Sequence, residues 1–369
     1  MSGAGAAPGD AALAEALATR TAALCGLLSP IGEERALCDR VQSWAMERFP
    51  HVRRVKDSLV VGVDGAAARP ERPLVALCGH LDTIPVHPED RGGPRREGAR
   101  LVAPGASDMK GGLALMMALA EALPAAERFC DLLLVFYARE EGPYLENELE
   151  AVLAEAPEVR QAALALCLEP TDNVVQLGCV GSLHATVTFH GRPAHSARPW
   201  QGENAVHRAG LLLAELAARP PRQAVSGGQT FREVLSCTRI DGGHARNVVP
   251  ERCTLNLNFR FAPDKSLEQA AWELVALVER HGAEVTLTDR SPACPAWGDH
   301  PQVQRLLSRT GAAAEPKQAW TDVARLAVHG VPAVNFGPGA TAQAHQRGEW
   351  VEVAALARGY RLLERFLQS

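Results

Sequence analysis

The chain has 369 residues, of which 47% are apolar, and its formal net charge is -5 at pH 7. We expect two domains, because a single hydrophobic core stops growing near about 250 to 300 residues. The acidic balance, with a pI near 6.2, provides no polybasic surface and therefore excludes nucleic acid and anionic membranes as expected partners.

The nine cysteines are odd in number, include no C-x-x-C pair and lie partly within apolar runs, as at Cys78, Cys130 and Cys167. This pattern predicts buried free thiols rather than a disulfide framework. Residues 1–8 lack the basic and apolar regions of a secretory signal, and no stretch of about 18 apolar residues occurs. We therefore expect a cytoplasmic protein without a membrane segment.

The first predicted elements are two amphipathic helices, at residues 11–28 and 33–49. Apolar runs of strand length follow at 74–78, 132–137 and 162–168, and helical stretches at 111–123 and 145–155 alternate with them. Nearly continuous apolar strands separated by helices are typical of an α/β layer. We predict a mostly parallel mixed sheet that is covered by helices.

Residues 180–291 follow a different pattern, because apolar and polar residues alternate along the strand at 183–190. Helices are predicted at 204–218 and 267–281, and further strands at 233–240, 254–261 and 284–288. Ser266 and Gln269 form a capping box, and Gly282 ends the second helix. The order predicts a smaller α+β domain of βαββαβ plan.

After residue 295 the α/β pattern resumes, with a helix at 301–308, a strand at 331–336 and a closing helix at 353–367. The sequence therefore predicts one catalytic domain, residues 1–179 and 292–369, interrupted by an inserted domain at 180–291.

A histidine and an aspartate, His80 and Asp82, directly follow the apolar run at 74–78. In open α/β sheets ligands bind beyond the carboxyl ends of the strands. The H-x-D spacing also lets a carboxylate accept the second ring N–H of a metal-bound imidazole. Taken alone, this pair would more often be an ordinary polar turn.

Five further candidate residues follow the same logic: Asp108 in GASDMKGG, the adjacent Glu140 and Glu141, Glu169 in CLEPTD, and His345 in GATAQAHQ. Alone, Asp108 would more often be a helix cap, and a Glu-Glu pair would more often be a solvated turn. Together these residues offer two imidazoles and several carboxylates, which suits a metal-dependent hydrolase. Neighbouring carboxylates must point in different directions, so one can bind metal while the other acts as general base.

The order H-x-D, S-D-M-K-G-G, E-E-G, L-E-P and a late G-P-G before a histidine resembles the di-zinc amidase family. This family includes acetylornithine deacetylase, succinyl-diaminopimelate desuccinylase, glutamate carboxypeptidase, aminoacylase and dipeptidases. The stretches GCVGSLHATV, NFRFAPD and WTDVARLAVHGVPAVNFGPG are most similar to the succinyl-diaminopimelate desuccinylase branch. The resemblance covers nearly the whole chain, and the inserted domain falls where the family has its lid.

The resemblance implies two divalent metal ions as cofactors. His80 and Glu169 would hold one ion, Glu141 and His345 the other, and Asp108 would bridge them. Nitrogen and oxygen ligands without a thiolate favour zinc, with cobalt or manganese as possible substitutes.

The resemblance also implies roles for the remaining candidates. Asp82 would orient His80, and Glu140 would be the general base that takes a proton from water and returns it to the leaving amine. His195 would donate to the developing oxyanion from the lid, and Asn247 with Arg260 would bind the substrate carboxylate. From residue type alone, His195 is an ordinary loop residue and Arg260 an exposed arginine on an edge strand.

The expected substrate is a small N-acyl amino acid, first N-succinyl-LL-2,6-diaminopimelate, which would yield succinate and LL-2,6-diaminopimelate in lysine biosynthesis. Its three carboxylates would suit extra cations at Arg198, Arg246 and Arg325. Acetylornithine deacetylase, another deacylase and a dipeptidase remain alternatives, as does an inactive metal-binding relative that acts as a binding protein. We expect a homodimer formed through the lid. Gly142-Pro143-Tyr144 departs from the glycine-rich turn of many members.

Overall fold

The computed structural model describes residues 8–65, 69 and 71–369. Residues 1–7, which contribute to the prediction of a missing secretory signal, lie outside them. None of the described helices combines the length and apolar composition that a bilayer span requires. All nine cysteines are free and eight of them are buried, as predicted, with Cys237 partly exposed.

The strands, in chain order, are β1 (His51–Val55), β2 (Ser58–Gly62), β3 (Leu74–His80), β4 (Arg95–Glu97), β5 (Arg100–Val102), β6 (Asp131–Tyr137), β7 (Leu164–Cys167), β8 (Val175–Leu177), β9 (Gly181–His190), β10 (Arg222–Ser226), β11 (Gln229–Gly242), β12 (Arg252–Phe261), β13 (Glu284–Ser291), β14 (Ala314–Pro316), β15 (Ala333–Asn335) and β16 (Trp350–Glu352). The α-helices are α1 (Pro8–Cys25), α2 (Arg35–Met46), α3 (Gly111–Ala122), α4 (Leu149–Glu155), α5 (Ala205–Ala218), α6 (Leu267–Arg280), α7 (Pro301–Thr310), α8 (Val323–Val328) and α9 (Val353–Leu367).

The described chain divides into two compact units. The first extends to Leu177 and includes Trp297–Glu315 and Arg325–Ser369, while the second comprises Gly178–Ala296 and Pro316–Ala324. The sequence predicts 316–324 in the catalytic domain, but the segment packs within the second unit. There Trp320 Nε1 donates to the Pro292 carbonyl at 3.0 Å, and Cys179 Sγ lies 3.7 Å from the Thr321 carbonyl.

The first unit is built on a sheet that has eight strands in the described residues, in the order β1-β2-β6-β3-β7-β15-β8-β14. Its centre is parallel: β3 pairs with β6 and β7, and β7 pairs with β15, all in parallel. Every residue of β3, β6 and β7 is buried. Strands buried on both faces are continuously apolar, which explains why the sequence pattern reveals them. The predicted α/β fold class is confirmed.

The carboxyl ends of the four central parallel strands lie at the same edge of this sheet. The register pairs His80 of β3 with Tyr137 of β6, and Cys78 with Cys167 of β7. The residues that follow these strand ends therefore converge, which is the usual place for a ligand site in a parallel sheet.

The second unit contains an antiparallel sheet that has five strands in this part of the structure, in the order β10-β11-β12-β9-β13. Leu183, Ala185, Val187 and Phe189 of β9 are all buried in one cluster with residues of α5 and α6. The Ser266 capping box begins α6 as predicted. The hairpin strand β10, which the sequence does not predict, extends the βαββαβ plan at one edge.

Candidate active site

His80 is the last residue of β3 and its side chain is 1% exposed. Its Nδ1 donates to the backbone carbonyl of Asp82 at 3.0 Å, and its Nε2 lies 3.2 Å from Asp108 Oδ1. Burial alone would lower the pKa of His80, but the hydrogen bond to Asp108 and the charges of Asp82 and Glu140 raise it well above the ordinary value. The imidazole is thus held by acceptors on both sides.

Asp82 is fully buried, and its carboxylate binds the chain that follows β6. Oδ1 accepts from the backbone N–H of Glu140 at 3.1 Å, and Oδ2 accepts from that of Glu141 at 2.9 Å. The Asp82 carboxylate is 3.7 Å from His80 Nδ1, farther than the backbone carbonyl of the same residue. Asp82 therefore touches His80 through its main chain and holds the Glu140-Glu141 corner through its side chain.

Asp108 lies in the irregular turn Ala106–Lys110 that precedes α3, and it is buried. Its Oδ1 is 3.2 Å from His80 Nε2, and its Oδ2 is 3.7 Å from His345 Nε2. The two oxygens of a single carboxylate thus face the two candidate histidine ligands. The sequence separates these three residues widely, and the structure brings them together.

Glycines allow the loops of the site to approach one another closely. A Cβ on Gly112 would lie 2.5 Å from the Leu168 carbonyl oxygen, and one on Gly337 would lie 2.4 Å from the Glu169 carbonyl oxygen. A Cβ on Gly339 would lie 2.2 Å from the Ser107 carbonyl oxygen. These distances are too short for any side chain, which gives the G-G and G-P-G motifs a packing reason.

His345 lies beside Glu141, which follows Glu140 directly in the chain. His345 Nε2 is 2.9 Å from Glu141 Oε2, and its side chain is 53% exposed. The hydrogen bond to Glu141 raises the pKa of His345 to about 9, and the charge of Asp108 adds to the effect. His345 has a positive φ of 63°, which turns the chain sharply at this point.

Among the described residues, three groups of ligand atoms lie within 4.8 Å of one another: His80 with Asp108 and Glu169, Asp108 with Glu141 and His345, and His80 with Glu140 and Glu141. The first two groups share only Asp108. Imidazole nitrogens and carboxylate oxygens at these separations are a suitable donor set for a divalent cation such as zinc. Glu169, the third member of the first group, is buried at 5% exposure.

The remaining predicted residues lie in the second unit. His195 is exposed, and its Nδ1 accepts from the Ala197 N–H at 3.1 Å. Asn247 is also exposed, and its main-chain carbonyl accepts from the Ser196 N–H. Arg260 is half-buried, its Nε donates to Asn258 Oδ1 at 3.0 Å, and burial lowers its pKa below the ordinary value.

Arg325 does not fit the prediction of an extra substrate-binding cation. Its side chain is 1% exposed, and its guanidinium stacks on the Tyr144 ring at 3.9 Å. It also donates to Glu150 Oε2 at 3.1 Å and to the Tyr144 carbonyl at 2.6 Å. Arg325 thus anchors the loop in which Gly142-Pro143-Tyr144 departs from the pattern of the family.

The sequence reasoning missed Glu349, a carboxylate that is 8% exposed. It accepts three backbone N–H bonds from the turn that carries Asp108, from Gly105, Ser107 and Asp108. Burial raises the pKa of Glu349 to about 7, although the backbone N–H groups oppose the change. Its position four residues after His345 is the sole sequence signal, and nothing in the residue type indicates burial.

The model of the family described as peptidase family M20/M25/M40 matches residues 76–369. A protein of Mycobacterium tuberculosis that carries the provisional name succinyl-diaminopimelate desuccinylase is 36% identical over 347 residues, 94% of this chain and 96% of that protein. The succinyl-diaminopimelate desuccinylase of Corynebacterium glutamicum is 34% identical over 359 residues, 95% of each chain.

The fold is also similar to that of a dinuclear metal-binding peptidase of family M20 from Bacillus subtilis. The TM-score is 0.66 at 16% identity, and the match covers 96% of this chain and 98% of that one. Matches over nearly the whole length, together with the family model, confirm the resemblance drawn from the motifs. The chain therefore belongs to peptidase family M20/M25/M40.

Proposed function

We propose that this protein is a di-zinc amidohydrolase that removes the succinyl group from N-succinyl-LL-2,6-diaminopimelate. The observation that carries the proposal is the pair of ligand groups that share Asp108. The desuccinylase names of relatives at 34 to 36% identity over at least 94% of this chain support the substrate. The matches cover 96% and 95% of the two relatives' own lengths.

In this proposal His80 and Glu169 would hold one ion, Glu141 and His345 would hold the other, and Asp108 would contribute to both. When bound, the ions supply Lewis-acid polarisation of the amide carbonyl and a lowered pKa for water. The separations within each group, at most 4.8 Å between ligand atoms, support the assignment. Cobalt or manganese suits the same donors, because none of them is a thiolate.

Glu140 is the general base of the proposed reaction. Its carboxylate takes a proton from the attacking water and then returns this proton to the amine nitrogen as the C–N bond breaks. The main chain of Glu140 is fixed by Asp82 Oδ1 at 3.1 Å, so the side chain starts from a defined position beside His80 and Glu141. A fixed base needs little reorganisation before proton transfer.

The second unit supplies the remaining proposed roles. His195 donates to the developing oxyanion, and Asn247 with Arg260 binds a substrate carboxylate. The exposed His195 ring, whose Nδ1 accepts from the Ala197 N–H, has the Nε2–H as its donor, which supports this role. We further propose a homodimer formed through this unit and a cytoplasmic location.

Other acyl groups remain the second candidate, because the metal chemistry is common to deacylases and dipeptidases. An inactive relative that binds metal is the candidate from another class. The presence of Glu140 argues against the inactive relative, since Glu140 is not needed to complete either of the two groups that share Asp108.

The experiment is a panel of N-succinyl, N-acetyl and dipeptide substrates at matched concentrations, with zinc-loaded protein and kcat/KM as the readout. We expect the highest value for N-succinyl-LL-2,6-diaminopimelate and none for the Glu140→Gln variant. The control is Glu155→Gln, which removes an exposed carboxylate of α4 in the same unit. Zinc-loaded protein that releases no amine from any substrate would contradict the proposal.

A further inference from the structure

The carboxylate of Glu349 binds the turn that contains Asp108. Oε1 accepts from the backbone N–H groups of Ser107 and Asp108 at 2.7 and 2.8 Å, and Oε2 accepts from that of Gly105 at 2.7 Å. A carboxylate has four lone-pair positions on two oxygens, so it can accept all three bonds at once.

The main chain around Glu349 is joined to the same segment. The Glu349 carbonyl accepts from Ala103 N–H at 2.9 Å, and the Trp350 carbonyl accepts from Ser107 Oγ at 2.8 Å. Strand β16 continues this pairing with β5 in antiparallel register, with Val351 opposite Leu101. The segment that begins at His345 is therefore attached to the segment that ends at Asp108, through both main chain and side chain.

We propose that Glu349 is a positioning residue for the metal centre. It fixes the 105–108 turn so that one oxygen of Asp108 faces His80, at 3.2 Å, and the other faces His345, at 3.7 Å. The inference rests on the proposed role of Asp108 as a shared ligand. Glu349 itself belongs to none of the groups of ligand atoms found among the described residues.

An amide in place of this carboxylate preserves the shape but not the hydrogen bonds. Glutamine offers one accepting oxygen and one NH₂ donor, so at least one of the three backbone N–H groups would face another N–H. The turn would have to move to relieve this contact, and Asp108 would move with it. A role limited to stability would instead lower resistance to unfolding and leave the metal affinity of the folded protein unchanged.

The test compares Glu349→Gln and Glu349→Asp with Glu352→Gln, which removes the exposed carboxylate at the end of β16, three residues after Glu349. Zinc dissociation constants are measured by competition with a chromophoric chelator, and the visible spectrum of the cobalt-substituted protein reports ligand geometry. Thermal unfolding of the metal-free protein is recorded in parallel.

We expect Glu349→Gln to weaken zinc binding by about 10- to 100-fold, the usual effect of removing a group that orients a metal ligand. In Glu349→Gln the cobalt spectrum should also change, and kcat should change by a larger factor than KM. The control Glu352→Gln should match the unchanged protein in all of these measurements. Glu349→Asp, which keeps a carboxyl group on a shorter side chain, should give a smaller loss of zinc affinity than Glu349→Gln. A folded Glu349→Gln with the original dissociation constant and cobalt spectrum would overturn the proposal.

If Glu349→Gln does not fold, Glu349→Asp decides, because an original dissociation constant in that variant contradicts the positioning role. Failure of the proposed function can be distinguished from failure of this inference by the behaviour of the unchanged protein. In that case the unchanged protein itself fails to bind zinc or to hydrolyse any N-acyl amino acid.

Discussion

Replacement of Asp82 by asparagine tests how the Glu140-Glu141 corner is held. The Asp82 carboxylate is fully buried and accepts both backbone N–H groups, at 3.1 and 2.9 Å. Asparagine can accept one of these bonds with its single oxygen, and its NH₂ group then faces the other N–H. The variant therefore loses one charge-assisted hydrogen bond and leaves one buried donor without an acceptor.

A hydrogen bond to a charged group contributes about 1.5 to 3 kcal/mol, and an unsatisfied buried donor costs about 1 to 3 kcal/mol. The two ranges partly count the same effect and are therefore not added, so we expect the corner to lose about 3 kcal/mol of local stability. At about 1.4 kcal/mol per factor of ten, the backbone amides of Glu140 and Glu141 should exchange with solvent about 100-fold faster. Because Glu141 is a proposed zinc ligand, zinc affinity should fall by about 10- to 100-fold.

The assay is amide hydrogen exchange by mass spectrometry on metal-free protein, followed by zinc titration against a competing chelator. Asp39→Asn is the control, since it removes an exposed carboxylate on α2 that pairs with Arg54. If Asp82→Asn leaves the exchange of this corner and the zinc affinity within twofold of the original values, the role that we give to the Asp82 side chain is refuted.

Three further predictions follow from the same structure. Glu140→Ala should abolish turnover while its metal content, measured by atomic emission, stays near the original value. Glu141→Ala should lose both turnover and metal. Equal metal loss in the two variants would refute the division of roles between Glu140 and Glu141. His195→Ala should lower kcat by about 10² to 10³, the scale for one oxyanion donor, and an unchanged rate would remove His195 from the reaction. In the second unit, burial alone would raise the pKa of Glu233, but hydrogen bonds from Arg222 and Lys265 bring it below the ordinary value. A depressed folded-state pKa gives stability that is present above the unfolded-state pKa and is lost as the pH falls through the folded-state value. Glu233→Gln should therefore unfold at a lower temperature at pH 7 and show less further loss between pH 5 and pH 3, by differential scanning calorimetry; an equal acid loss in both proteins would contradict this.

The central strands were predictable because their sequences are determined by burial on both faces. β3, β6 and β7 are buried throughout and mostly apolar, and α9 occupies 353–367 as its pattern predicts. The hairpin of β1 and β2 was not predicted, because HVRRV is polar and only its last residue is buried. Strands β4, β5 and β16 have three residues each, which is too short for a clear sequence pattern. The pairing of β16 with β5 also joins segments that are distant in sequence.

The candidate ligands were recognisable because each follows the end of an apolar strand or opens a glycine-rich turn. Parallel strands then bring the ends together, so His80, Asp108 and His345 meet although they are far apart in sequence. Contacts that depend on the backbone of another loop could not be predicted in this way. The side chain of Asp82 binds the corner after β6, and Glu349 binds the turn of Asp108, through N–H groups that every residue type possesses.

The most direct test of the central claim is a crystal structure of the zinc-loaded protein with anomalous diffraction measured at the zinc edge. Our account predicts two anomalous peaks, each about 2.0 to 2.2 Å from a different oxygen of Asp108, with His80 and Glu169 at one peak and Glu141 and His345 at the other. A single peak, or two peaks of which neither contacts Asp108, would contradict it.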